Sequence, residues 1–353
     1  MRVLLVGDFP PPHGGISVHL AGLASVLGRQ GFVVQVLDVS RPAKRSAPAN
    51  VTAARGRLHV ARIIARAASR GHLVHVHVSG HNAPSWSLAT AATWLSRPFG
   101  RSLITVHSGL APAYLSGPGP RWRARLACTT AARVLCANED IERALRRCDV
   151  RPGRLETLPA FIDEPGPPGA PPASFAALRR SCDRLLLVAL GDEPVYGAPL
   201  FLETVERLAP GCAGLGVCAI GRGADAALAG RLRGLLGERA LVLGEVGHPE
   251  ALAILAQTDV FLRPTLADGD SVSVREAISG GAAVVATSVS PRPPGVLLAA
   301  VDPVELADAT RRALEAGRPG RPPTVASAHR RLLELYGALL APPPGLAPAH
   351  QTP

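Results

Sequence analysis

Residues 265–288 read TLADGDSVSVREAISGGAAVVATS, and this stretch decides the fold. Val260 and Phe261 just before it are apolar in the manner of a buried strand. After the loop, residues 274–279 have a helical pattern, Gly280 and Gly281 break it, and residues 282–287 form a second apolar strand. A strand, loop, helix and strand in under 30 residues is the crossover unit of a parallel α/β sheet. Two acids, Asp268 on the loop and Glu276 on the helix, stand eight positions apart.

The same alternation extends outward in both directions. Towards the N-terminus, strands are expected at 185–190, 216–220 and 241–243, with helices at 200–208 and 250–257. Residues 164–173, EPGPPGAPPA, hold five prolines and cannot continue a strand or a helix interior, so they mark a hinge. Before the hinge the pattern repeats. An apolar strand at 2–6 closes on Gly7. Ile16, Leu20, Leu23 and Leu27 then line one helical face up to Gly31, and strands follow at 32–37, 73–78, 103–106 and 133–136. The expected organisation is an N-terminal Rossmann-like domain over 1–163, a hinge at 164–174 and a C-terminal Rossmann-like domain over 175–322. A terminal helix at 323–340 and a Pro-rich, disordered tail at 341–353 complete it.

Composition narrows the class. The chain has 353 residues, 47% hydrophobic and 18% charged, enough for two large cores. No apolar run reaches the roughly 18 residues of a membrane span, and the apolar run at the N-terminus is too short for a secretory signal, so a cytoplasmic protein is expected. The six cysteines form no CxxC pair, which argues against a disulfide framework or a zinc site. Charge is lopsided: residues 1–165 carry 21 Lys/Arg against 9 Asp/Glu, and residues 166–353 carry 17 against 18. A basic half points to an anionic substrate or surface. Neither half has a GxGxxG followed by a ribose-binding acid, so a nicotinamide enzyme is poorly supported.

The 265–288 segment resembles the donor-site signature of the GT-B glycosyltransferases of family 4, in which two acids separated by seven residues precede a glycine and a Val-rich strand. Here Asp268 stands where Glu is usual. Other landmarks are similar to the family's: FPPPHGGISVH (9–19), ITVHSG (104–109), VLCANEDIE (134–142), LPAFID (158–163), AIGRG (219–223) and LLELYGALL (332–340). The resemblance implies a GT-B fold, two doubly wound parallel-sheet domains facing a central cleft, and a sugar-nucleotide donor. It implies that Glu276 holds the ribose hydroxyls and that Asp268 faces the transferred sugar. His107, at a strand end, would reach that sugar near the reacting carbon. Backbone N–H groups at the helix start, in Gly269, Asp270, Ser271, Val272 and Ser273, would receive the diphosphate, because helix N-termini favour anions. Gly14 and Gly15 would let backbone approach phosphate or acceptor, and Gly221 would turn beside the ligand. Asp268-Gly269-Asp270 also spells a DxD metal motif, but that motif belongs to a fold without two matched halves, so no metal and no cofactor are expected. His72, His75 and His77 alternate along one strand with no fourth partner and read as structural.

One departure bears on catalysis. Many members place an Arg and a Lys after the first donor-domain strand. In LGDEPVYG (190–197) Asp192 and Tyr196 occupy those places, and Arg263 in FLRPT (261–265) is the candidate replacement cation. In the basic half, Arg55, Arg57, Arg62, Arg66 and Arg70 interleave with Val60, Ile63, Ile64 and Ala67, and RWRAR (121–125) sets Trp122 among three cations. Such segments suit an anionic membrane surface. No RRM, helix-turn-helix or OB signature accompanies them, so nucleic acid is not expected as a partner. The expected function is retaining transfer of a hexose-type sugar to a glycan or lipid-linked acceptor, in envelope polysaccharide or glycolipid assembly, at the inner face of the membrane. The alternatives are a GT-B sugar-nucleotide epimerase and a catalytically silent GT-B scaffold.

Overall fold

A computed structural model of the chain describes residues 1–40, 48–159, 168–321 and 328–341. Residues 164–167 of the expected hinge (164–174), residues 160–163 of the LPAFID segment, residues 323–327 of the terminal segment and the tail from 342 lie outside the described residues. Two all-parallel sheets carry the fold. The first contains β1 (Arg2–Gly7), β2 (Val33–Asp38), β3 (Val51–Ala53), β4 (Leu73–Val78), β5 (Ser102–Val106), β6 (Arg133–Cys136) and β7 (Leu155–Thr157), in the order β3-β2-β1-β4-β5-β6-β7. The second contains β8 (Arg184–Ala189), β9 (Leu215–Ile220), β10 (Ala240–Gly244), β11 (Val260–Arg263), β12 (Ala283–Thr287) and β13 (Val296–Ala299), in the order β10-β9-β8-β11-β12-β13.

Both orders reverse direction once, between β1 and β4 and between β8 and β11. At such a switch point the connections leave to opposite faces and open a crevice beyond the strands' carboxyl ends. The central strands are apolar because helices cover both sheet faces: all six residues of β4 and all six of β9 are buried. The helix Gly15–Arg29 buries Leu20, Leu23, Val26 and Leu27 on the first sheet. It turns into β2 through Gly31, whose φ of 78° favours glycine.

The helix Ala328–Leu340 crosses back to the first domain. Its Tyr336 is fully buried, with its hydroxyl 2.5 Å from Nδ1 of His75 on β4, while His75 Nε2 lies 2.7 Å from Thr105 Oγ1 on β5. Burial pushes the His75 imidazole down to about 3, so it is neutral, with one nitrogen donating and the other accepting. At the start of the second domain, the Gly169 N–H donates to the Pro249 carbonyl at 2.8 Å, so the Pro-rich stretch is already tied to that domain at residue 169.

Candidate active site

The carboxyl ends of the two sheets face each other across a cleft of about 660 Å³, lined from the first domain by the 12–18 loop and His107, and from the second by residues of the segments 189–196, 220–222, 245–248 and 263–276. On the first-domain side, the Gly14 N–H donates to Ser17 Oγ at 2.9 Å, and that hydroxyl donates to the Pro12 carbonyl, which holds the loop at the helix start. A side chain at Gly15 would meet nothing within 4 Å, so the bare backbone there leaves open cleft. His107 follows β5 and lies with Nε2 3.1 Å from His77 Nδ1. Burial, with His19 and His75 adding to it, holds His107 well below the ordinary imidazole range, so it meets a ligand as a neutral group.

The two signature acids have different surroundings. Glu276 is 7% exposed and one of its oxygens lies 2.6 Å from His248 Nε2. Burial pulls His248 down, but the bond and charge of Glu276 outweigh it and raise the imidazole above its usual value. His248 opens the helix His248–Leu255 and lines the cleft. The only signal for it in the sequence is a lone His at a helix start, and sequence reasoning missed it.

Asp268, expected to face the sugar, lines the cleft with its carboxylate held by cations. Its Oδ2 accepts from Arg263 Nε at 2.9 Å, Arg292 Nη1 at 2.7 Å and Thr265 Oγ1 at 3.3 Å, and its Oδ1 accepts from the Gly269 N–H at 3.1 Å. Burial pushes this carboxyl up, yet the two guanidiniums hold it at about 2. The lone pairs that would recognise a sugar are occupied because two buried cations converge there.

Arg263, the candidate replacement cation, shares its guanidinium with Asp268 and lies 5.2 Å from the centre of the Tyr196 ring. With Arg292, which sequence reasoning also missed, the group has two positive charges and one negative, and Arg263 brings it to the cleft wall. Tyr196 in turn lies over Gly191, where an added Cβ would stand 2.3 Å from the ring. A further cation, Arg222, lines the cleft and pairs with Asp192 at 3.1 Å, so a positive charge stands beside the position where the family's Arg is missing.

Asp270 is gripped by Arg275 Nε at 2.8 and 2.9 Å. Both carboxylates of the DGD triplet are therefore engaged with arginines, which leaves this DxD ill suited to a metal. Ser271 caps the helix Val272–Ser279, its hydroxyl accepting from the Val274 N–H, while Val272 and Ser273 start the helix at the cleft. The Gly269 carbonyl accepts from Asn138 Nδ2 at 3.0 Å, and a Cβ at Gly269 would lie 1.8 Å from the His107 carbonyl oxygen. The donor loop thus seats on the first domain beside His107. Gly221 has φ 97°, and its Cβ would lie 2.2 Å from the Leu190 carbonyl, so packing alone requires glycine there, although the residue also lines the cleft. Gly14, Gly15, His107, Tyr196, Gly221, Arg263, residues 268–273 and Glu276 therefore meet in one cleft.

Comparison with known proteins gives a consistent result. A family model described as Glycosyltransferase Family 4 matches residues 13–164, and one described as Glycosyl transferases group 1 matches residues 183–316. No curated protein matches the sequence. Among solved structures, Anabaena HepE in complex with UDP and glucose is 15% identical over 96% of this chain and 100% of that one, with a TM-score of 0.68. Sucrose-phosphate synthase from Thermosynechococcus elongatus is 18% identical over 96% of each chain, with a TM-score of 0.65. A UDP-forming α,α-trehalose-phosphate synthase from Burkholderia xenovorans is 14% identical over 96% and 97%, with a TM-score of 0.63. At these identities the solved structures speak for the fold, and the two matched segments, one on each sheet, speak for the family. The chain belongs to the family 4, group 1 glycosyltransferases of the GT-B fold.

Proposed function

We propose that this glycosyltransferase binds a nucleoside-diphosphate sugar in the second-domain half of the cleft and transfers its hexose, with retention, to an acceptor held by the first domain. The observation that carries the reading is the meeting of Glu276, the Ser271-capped helix start and His107 in one cleft between the carboxyl ends of two switch-point sheets. Glu276, oriented by His248, accepts the ribose hydroxyls. The N–H groups at Val272 and Ser273, Arg222, and Arg263 with its net positive surroundings draw negative charge to the leaving diphosphate. His107, neutral, bonds the sugar without adding charge.

Retention is what the family implies, and the proposed step needs no side-chain base. The C1–phosphate bond breaks, the acceptor oxygen bonds C1 on the same face, and the departing phosphate oxygen takes the acceptor proton. No metal enters this scheme, since cations of the chain do that work. HepE bound to UDP and glucose, and the UDP-forming trehalose-phosphate synthase, are relatives by fold whose ligands fit a donor of this kind.

The first domain supplies a basic, partly apolar face for an acceptor at an anionic membrane. Trp122, 63% exposed, stands between Arg121 and Arg123 on the helix Pro118–Thr130. Trp94 donates to the Leu126 carbonyl of that helix at 3.3 Å, and Arg97 lies 6.0 Å from the Trp94 ring. Among the described residues no helix is long and apolar enough to cross a membrane, so contact would be from the surface. The role proposed is sugar addition to a lipid-linked or glycan acceptor in envelope assembly, at the cytoplasmic leaflet. Two experiments test this. Transfer from a labelled sugar nucleotide to a lipid-linked acceptor, with the product anomer read by NMR, must show the donor's configuration retained. Co-sedimentation must occur with phosphatidylglycerol vesicles but not with neutral ones, and must fall in Trp122→Ala. Turnover of the donor to an isomeric sugar nucleotide without acceptor would instead establish an epimerase.

A further inference from the structure

His107 offers the cleft one face; behind it stand two histidines, His19 and His77, that sugar transfer does not use. His19 from the helix Gly15–Arg29, His77 from β4 and His107 after β5 each bring one ring nitrogen to within 4.8 Å of the other two. The three ring centroids are 5.3 Å apart in every pairing. Two nitrogens bound to one tetrahedral zinc at about 2.05 Å lie roughly 3.3 Å apart. The 3.1 Å between His77 Nδ1 and His107 Nε2 is close to that bite.

A second observation is independent of the convergence. His77 is 2% exposed, and its Nε2, the ring nitrogen turned away from His107, is buried with no hydrogen-bond partner among the described residues. Buried polar atoms are normally satisfied, and an exception calls for a reason. His75, its neighbour on the same strand face, shows that the core can satisfy an imidazole fully: both its nitrogens are bonded.

We infer that His19, His77 and His107 form a binding site for a borderline divalent cation such as Zn²⁺ or Co²⁺, with its fourth position open to the cleft on the His107 side. Three imidazoles with one open position suit these ions, whereas Mg²⁺ and Ca²⁺ seek oxygen ligands. An ion there holds the His107 ring that would meet the donor sugar, so the cation inhibits transfer. That consequence rests on the donor reading above; the site itself does not.

The test uses the full chain, stripped with EDTA and titrated with Co²⁺ alone, read by visible absorption. One Co²⁺ per chain with the intense bands of tetrahedral coordination is expected, displaced by Zn²⁺ and indifferent to Mg²⁺. His77→Gln and His19→Gln should each weaken binding by more than the roughly 10- to 100-fold that disturbing a mere supporting residue costs. His72→Gln, whose imidazole is bonded to the Ala67 carbonyl away from the cluster, should leave binding within about twofold. The two cluster substitutions lie on different elements, so a folding failure in one leaves the other to decide. Absence of the bands in the wild type, or their persistence in both variants, overturns the proposal. Nucleotide binding measured in parallel without metal separates the two ideas: its failure would sink the donor reading and leave the Co²⁺ result standing.

Discussion

Replacing Gly269 by Ala tests the seat of the donor loop on the first domain. An alanine Cβ at this position would lie 1.8 Å from the His107 carbonyl oxygen and 3.0 Å from its carbonyl carbon. Non-bonded contact with a carbonyl oxygen needs about 3.3 Å, so loop and strand end must separate by roughly 1.5 Å. Residue 269 does not have a positive φ, so the contact, and not backbone strain, is what the methyl group adds. The separation moves His107 away from the 268–276 segment, and a misplacement of about 1 Å costs on the order of 100-fold in rate, or about 2.7 kcal/mol in the barrier. Neither sheet's core is touched, so the melting temperature should stay within about 3 °C of wild type. Steady-state turnover of the sugar nucleotide, beside calorimetric melting, gives both numbers. Asn138→Asp is the companion variant. It keeps the side-chain oxygen that caps the helix Glu139–Arg146 through the Ile141 N–H, but loses the donor to the Gly269 carbonyl. Turnover within twofold of wild type in both variants would refute the idea that the working enzyme holds the donor loop against the His107 strand end.

Other consequences follow from the buried charges. Asp268→Asn leaves two buried guanidiniums facing each other and should cost about 3 kcal/mol, read by chemical denaturation of the purified chain. Because the folded Asp268 carboxyl sits at about 2, below its usual 3.8, it contributes about 2 kcal/mol of stability that is present above pH 4. That contribution is lost as pH falls from 4 towards 2, and an acid titration of Asp268→Asn should lack the component. His248 shifts the other way: its raised folded pKa makes its pairing with Glu276 most stabilising below pH 6.5 and lost as pH rises through the folded value. His248→Gln should therefore flatten the pH dependence of the melting temperature on that alkaline side, and an unchanged profile would remove His248 from the account. Tyr336→Phe takes the hydroxyl from His75 and should cost about 1 to 3 kcal/mol, with earlier protease cleavage at the terminal helix.

The alternation of strands and helices was legible because each central strand is buried on both faces and each covering helix shows one apolar stripe, as in β1 and the helix Gly15–Arg29. The edge strands β3 and β7 were not. Each has three residues, none fully buried, and so carries too little apolar pattern to register. The acid spacing of Asp268 and Glu276 was visible, but their partners were not, since Arg292 lies 24 residues from Asp268 and His248 lies 28 from Glu276. Local pattern reports which face of an element is apolar. It does not report which distant cation folds back onto a loop carboxylate, and for that reason Arg292 has no signal in the sequence. The His19, His77 and His107 cluster was hidden for the same cause, because three elements contribute one residue each.

The central claim, a nucleotide-sugar site built around Glu276, is tested most directly by melting the wild type and Glu276→Gln with UDP, GDP, ADP and TDP. A ligand at 100 times its Kd stabilises the native state by about 2.7 kcal/mol. The account predicts a clear rise in melting temperature with one of these nucleotides for the wild type, and its loss in Glu276→Gln, whose unliganded melting remains close to wild type. No rise with any nucleotide, or an equal rise in both proteins, would contradict it.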